Sequence, residues 1–443
     1  MGIAIATPPA PTETDHDAYA AFRHRSYTLY MLGTSLTTIG MGAQGLAVGL
    51  ELYKRTSDEL LLGLVGLTTA APMMLLILPA GYIADRLDRR RILAVSAVGV
   101  CCASAGLAVA SSVVAPVWVM FALLFAGAAA ATMGRPARTA LLPQLVPTAI
   151  FENAVAWRTS VQQLCGMFGP AVGGLIAVRS VTAAYVVAAC SALGFVAVLP
   201  FIKPAPTKQG PKVSGAASDD PTAAARAPEF LTELLAGVRF VGRTRLLLAT
   251  MTLDLFAVLL GGAVYLLPVF ALDILNVGEQ GLGWLRAMPA AGAFCMALLL
   301  AHLPPMRKAG RNLLLAVAGF GAVTIVFGLT KSFWLAMAML FLTGVFDNVT
   351  VVVRHTLMQL LTPDEMRGRV SAVSSIFIGS SNELGGFESG LVAKLTTPVI
   401  SVVAGGIGTL CVVVGMAFAS PQLRRFGALA DAKIPDTDDS RSD

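Results

Sequence analysis

The chain has 443 residues, 56% of them hydrophobic and 13% charged, with a formal net charge of +6 at pH 7. Soluble domains carry about a quarter charged residues, so this composition leaves too little polar surface for a water-covered globule and makes lipid the solvent. The positive excess is scattered over short segments and is not interleaved with aromatics, which excludes a nucleic-acid-binding stripe.

Residues 1–25 are rich in Pro, Thr and Ala and lack the apolar core of a signal peptide; they are expected to be a disordered cytoplasmic tail. A helix crosses a bilayer with about 20 apolar residues. Twelve segments meet that length: 27–51, 61–84, 92–111, 116–136, 153–177, 181–201, 246–271, 281–302, 312–330, 333–353, 369–394 and 398–420. They are too long, and alternate too little, for barrel strands. The predicted fold is an all-α polytopic membrane protein with a six-helix bundle over 26–201 and a second over 246–420. Between them, 202–245 forms a Pro-rich cytoplasmic linker whose later part, 229–243, has the apolar spacing of an amphipathic surface helix. Residues 421–443 are expected to be a second disordered cytoplasmic tail.

Positive residues set orientation. If the 81–91 loop is cytoplasmic, 25 of the 32 Lys and Arg residues lie on that side and five on the other, the remainder being Arg158 and Arg286 within spans. Both termini are therefore predicted to be cytoplasmic.

The halves repeat. A shift of 216 residues brings Arg138 onto Arg354, Pro147 onto Pro363, Gly169 onto Gly385 and Gly174 onto Gly390; a shift of 217 brings Gly66 onto Gly283, Pro72 onto Pro289 and Arg90 onto Arg307. An even number of spans separates the copies, so the repeat is parallel.

Three motifs carry the functional reading. Between spans two and three stand Gly81, Asp85, Arg86, Asp88, Arg89, Arg90 and Arg91. Gly81 permits close helix approach, and Asp85 suits an arginine partner or a helix N-terminus. The order Gly-x-x-x-Asp-Arg-x-x-Arg-Arg resembles the loop between the second and third helices of the major facilitator superfamily of transporters. Asp88 stands where that family usually has Gly. The resemblance implies a gate in which Asp85, Arg86 and Arg90 lock the outward-facing state. Arg135 and Arg138, at the end of span four, are positioned as partners or as snorkelling residues. The second copy keeps Arg307, Lys308 and Arg311 but has His302 in place of the acid.

On span five, Gly166, Gly169, Pro170, Gly173 and Gly174 form a small-residue face with a helix-bending proline. This face resembles the fifth-helix motif of exporters in the superfamily, with Trp157 replacing an upstream Gly; an ordinary packing face is the other reading. On span eleven, Asn382, Glu383 and Glu388 follow the run Pro363 to Arg369, and this run together with the 81–86 motif resembles the superfamily branch that contains the bacterial enterobactin exporter. Glu383 lies about 14 residues, ~21 Å, beyond Arg369. Intramembrane carboxylates are functional by default, and burial favours their protonated form. Glu383 is thus the first candidate for proton coupling and Asp254, on span seven, the second; a structural hydrogen bond is the competing reading for Glu383.

Asp254, Asp347 and Arg158 lie near the cytoplasmic ends of their spans and are candidates for inner-gate pairs. Gln162, Gln44, Asn382 and Glu388 are candidates for the substrate cavity, Gln162 being preferred over Gln163. Thr34, Ser35, Thr37 and Thr38 either line the cavity or bond their own helix. The six cysteines fall inside spans without metal-ligand spacing and read as apolar fillers. There is no phosphate-binding Gly-x-x-x-x-Gly-Lys motif and no His-Glu-x-x-His, so neither a primary pump nor an intramembrane hydrolase is expected, and no cofactor or metal is called for. The expectation is a multi-pass, monomeric transporter of the cytoplasmic membrane. It works by alternating access and exports a small amphiphilic molecule, siderophore-like or drug-like, against protons. A lipid flippase or an importer of the same fold is the alternative. The bilayer, the small molecule and protons are its predicted partners.

Overall fold

The structure, a computed structural model, describes residues 19–203, 227–303, 306, 308–363 and 366–427. The expectations for the outer parts of both tails and for most of the linker lie outside the described residues. The described chain is helical, without strands. Its long helices are α1 (Arg25–Thr56), α2 (Glu59–Arg86), α3 (Arg89–Ser112), α4 (Val117–Leu141), α5 (Phe151–Ala177), α6 (Val181–Val198), α7 (Ala227–Arg243), α8 (Arg245–Leu260), α9 (Gly278–His302), α10 (Ala309–Leu329), α11 (Phe333–Leu361), α12 (Arg367–Leu395) and α13 (Pro398–Ala419).

Short polar caps make the tight connections possible. Ser57 adopts a left-handed conformation (φ 48°) to end α1, and Asp58 at once accepts from Leu60 N at 3.0 Å to start α2. Asp88 accepts from Arg90 N at 2.8 Å to start α3. Thr397 caps α13 ahead of Pro398, which has no amide hydrogen to lose.

By length and composition, nine of the described helices are apolar enough to cross a membrane. Among the other long helices, α1 and α12 bury some of their polar residues: Gln44 and Glu51 of α1 and Ser381 and Ser389 of α12. The outward faces carry side chains such as Val95, Trp118, Leu315, Trp334 and Phe418, a surface suited to lipid.

In the first half α1 packs on α5 and α6, α3 on α4 and α6, and α2 on α4; in the second, α9 packs on α11, α10 on α11 and α13, and α12 on α8 and α13. The halves meet mainly where α5 crosses α9 and α2 crosses α12. Both crossings are made by glycine. A methyl group added to Gly174 would lie 2.6 Å from Gly283 Cα, and one added to Gly390 would lie 3.0 Å from Gly63 Cα. Gly174 and Gly390 are partners in the 216-residue repeat, so the pair of crossings follows the internal symmetry.

The predicted seventh span, 246–271, departs from a continuous helix. α8 ends at Leu260, a 3-10 segment spans Gly262–Leu266, and a π turn covers Phe270–Ile274. Gly261 and Gly262 weaken the helix, and Pro268 withholds one backbone donor. Gly262 approaches α12 so closely that an added methyl would meet Gly385 O at 2.4 Å. The irregular stretch brings Tyr265 to the centre of the protein.

Candidate functional site

Glu383 projects from the middle of α12 toward the seam between the halves. Tyr265 donates its hydroxyl hydrogen to Glu383 Oε2 at 2.7 Å, and Thr69 Oγ1, from α2 of the other half, approaches the same oxygen at 3.4 Å. Gly66, one turn from Thr69, has no side chain to block the carboxylate: an added Cβ would lie 2.9 Å from Oε2. Arg286, on α9, is within electrostatic reach of both Glu383 and Tyr265. Its guanidinium lies over α1, where Gly45 and Gly49 leave room. A carboxylate, a phenol, a hydroxyl and a guanidinium thus share one low-dielectric site, supplied by both halves.

Beside this cluster is a cavity of about 340 Å³. Its polar lining comes from Gln163, Tyr265, Thr324, Thr343, Asp347 and Asn382, and its apolar lining includes Phe320, Phe327 and Leu340. Tyr265 therefore belongs to both places. Of the adjacent glutamines it is Gln163 that lines the cavity, because neighbouring helical residues point about 100° apart. Asn382 lines it while donating to Ile378 O of its own helix at 2.9 Å. Glu388, five residues beyond Glu383 on α12, is not among the described residues that line the cavity and lies 3.4 Å from the Ser389 hydroxyl. Gln44 is elsewhere: buried in the first half, it accepts from Ser104 Oγ at 2.6 Å and joins α1 to α3. Thr34, Thr37 and Thr38 donate to carbonyls of their own helix.

Asp254 forms a buried ion pair with Arg354 inside the second half. Its charge is already matched, so the carboxylate is held by a structural partner. Arg354 is the repeat partner of Arg138, whose own helix receives a hydrogen bond from Tyr30 to the Arg138 carbonyl at 3.1 Å. Glu51 pairs with Arg55 and accepts from Tyr185 at 2.7 Å, a second buried carboxylate network that stays within one half.

The arginine-rich segment, whose Arg89 and Arg90 open α3, is tied to its own half. Arg89 donates to Ala140 O at 2.9 Å, at the end of α4, and Arg90 to Leu199 O and Pro200 O at 3.2 Å, just beyond α6. Cations at helix C-termini meet the negative end of the dipole and satisfy orphan carbonyls. Arg135 is exposed against Met73, its Nη1 3.1 Å from the sulfur. The methyl position of Gly81 is open space. The side chains of Asp85 and Arg86 lie outside the described residues, as do Asp364 and Glu365.

At the opposite end of the molecule the halves are tethered. Lys54 pairs with Glu279, Lys394 pairs with Asp58 at 2.6 Å, and Tyr53 donates to Asp273. On α5, Gly169 packs against Gly42, Gly173 against Ala43 and Gly174 against Gly283, while Pro170 lies inside the helix. The first two glycines thus serve α1 and the third serves the other half.

Tyr265, Thr69 and Arg286 were not expected as site residues from the sequence, and Asp347, expected in an inner-gate pair, instead lines the cavity. A tyrosine or threonine in an apolar span carries no local mark of its partner. Arg286 and Asp347 did carry a signal, as charges within spans.

The family model of the Major Facilitator Superfamily matches residues 30–386. The enterobactin exporter EntS of Shigella boydii serotype 4 (strain Sb227) is 26% identical over 407 residues, covering 91% of this chain and 94% of the exporter. Among solved structures, a POT family transporter in complex with a thioalcohol-conjugated peptide superposes with a TM-score of 0.72 at 11% identity, covering 90% of this chain and 96% of that one. A bacterial homologue of the human lysosomal transporter Spinster, in an inward-facing and occupied conformation, superposes with a TM-score of 0.66 at 15% identity, covering 93% of this chain and 99% of that one.

Proposed function

The chain belongs to the Major Facilitator Superfamily, and from that premise we propose that it exports a small amphiphilic molecule, siderophore-like or drug-like, by proton-coupled alternating access. The observation that carries the proposal is the Glu383 cluster. The carboxylate is bonded within its own half by Tyr265 and approached from the other half by Thr69. Gaining or losing a proton at Glu383 changes a charge that both halves feel, inside a site where charge is costly. That gives the proton a means to bias the rocking of one half against the other.

The arginine-rich end is read as cytoplasmic on the distribution of Lys and Arg. The tethers Lys54–Glu279 and Asp58–Lys394 then lie outside and hold the external gate shut. Export is favoured over uptake by the glycine and proline face of α5 and by the similarity to proteins named as exporters.

The test is transport in vesicles with an imposed pH gradient. Glu383→Gln, which keeps shape and removes titration, is expected to abolish gradient-driven accumulation while leaving counterflow of substrate without a gradient. Full gradient-driven transport by that variant would remove the proton role from Glu383.

A further inference from the structure

Asp347 is the one charged residue among the described residues that line the cavity. It projects from the middle of α11, and no hydrogen bond or ion pair to its carboxylate is found among the described residues. Two other intramembrane acids of the second half are occupied, and Glu388, 3.4 Å from the Ser389 hydroxyl, is not among the described residues lining the cavity. Asp254 is paired with Arg354. Glu383 is bonded to Tyr265 and lies within electrostatic reach of Arg286, so that cluster carries charges of both signs. The cavity itself therefore presents one uncompensated negative group, surrounded by neutral hydrogen-bonding side chains and by Phe320, Phe327 and Leu340.

An isolated carboxylate in a low-dielectric site is unfavourable unless it takes up a proton or a cation joins it. Aromatic and aliphatic walls beside it suit the apolar body of such a cation. We propose that the cavity binds an amphiphilic organic cation, with the positive group against Asp347 and the apolar body against Phe320 and Phe327. This rests on the reading of the protein as an exporter of small amphiphiles and narrows the cargo by charge: an anionic, siderophore-like molecule would meet the wrong sign at Asp347.

The experiment is equilibrium binding to the full chain in nanodiscs near pH 7, with empty nanodiscs as background. The probes are tetraphenylphosphonium and tetraphenylborate, nearly identical in shape and opposite in charge. The wild-type protein is expected to bind the phosphonium and to prefer it over the borate. Asp347→Asn is expected to weaken phosphonium binding by at least about tenfold, and Asp347→Glu to restore most of it. Absence of phosphonium binding, a preference for the borate, or an unchanged affinity in Asp347→Asn would each overturn the proposal. The wild-type charge preference decides the matter even if Asp347→Asn does not fold. Binding needs no gradient, so the two readings fail separately. Loss of proton coupling with phosphonium binding intact removes only the Glu383 role, and loss of the cation preference with gradient-driven transport intact removes only this one.

Discussion

Tyr265 donates a 2.7 Å hydrogen bond to Glu383 across 118 residues of sequence. The bond exists because α8 is interrupted at Gly261 and Gly262, which lets the chain after Leu260 lean against α12. A continuous helix through this stretch would rotate Tyr265 away.

We predict that Tyr265→Phe lowers gradient-driven transport by about tenfold. The substitution keeps the ring in the cavity wall and removes only the donor, and a hydrogen bond to a charged group contributes about 1.5–3 kcal/mol. Initial rates in vesicles with and without a pH gradient would check this. Equal losses in both conditions would point to a packing role instead.

The Asp254–Arg354 pair should behave as a structural element. Removing one partner leaves the other charge buried, and Asp254→Leu is expected to destabilise the second half by about 3–5 kcal/mol. Replacing both, as Asp254→Leu with Arg354→Met, should recover most of that loss. Thermal unfolding in detergent of the two singles and the double distinguishes this from a transport role, in which stability would hardly move.

The Asp58–Lys394 tether predicts a pH window. The Lys394 ammonium holds the Asp58 carboxyl below its ordinary range. A carboxyl with a lowered pKa contributes above its ordinary pKa, near 4, and loses that contribution as pH falls through the lowered value. The pair is partly exposed, so it is worth at most about 1 kcal/mol. Spin-label distances across this end should be constant from pH 7 to about 5 and lengthen only in stronger acid. A transition already complete at pH 6 would mean that another group controls the tether.

Asp88 offers a test of capping. It accepts from Arg90 N and starts α3, at the position where the superfamily usually has glycine. Both residues are permitted N-caps, which explains how the loop tolerates the exchange. Asp88→Gly should cost a few tenths of a kcal/mol and Asp88→Ala about 1 kcal/mol, read from thermal unfolding of the purified protein.

Gly174 and Gly283 let α5 and α9 touch across the halves. A larger residue at Gly174 has backbone, not a flexible side chain, in its way. Gly174→Val is therefore expected to hold the tethered end apart. Cysteines introduced for Lys54 and Glu279 should cross-link readily in the parent and poorly in this variant.

The all-helical, membrane-spanning character and the superfamily were legible in the sequence, because apolar length and the Asp-Arg loop motif are local properties. The small-residue face of span five was legible too, and Gly174 on it, with its repeat partner Gly390, proved to be a crossing point. Glu383 could be noticed by the same means, since a carboxylate in an apolar run is conspicuous wherever it points. Only the tertiary structure decided partners. Asp254 meets Arg354 a hundred residues away, Gln44 turns to Ser104 rather than to the cavity, Gln163 rather than Gln162 lines that cavity, and Asp347 is the one charged residue among the described residues that line it. Burial of an apolar run depends on its composition. The fate of one polar side chain depends on a rotation of about 100° per residue and on which helix lies opposite, and those are set by packing between segments far apart in the chain.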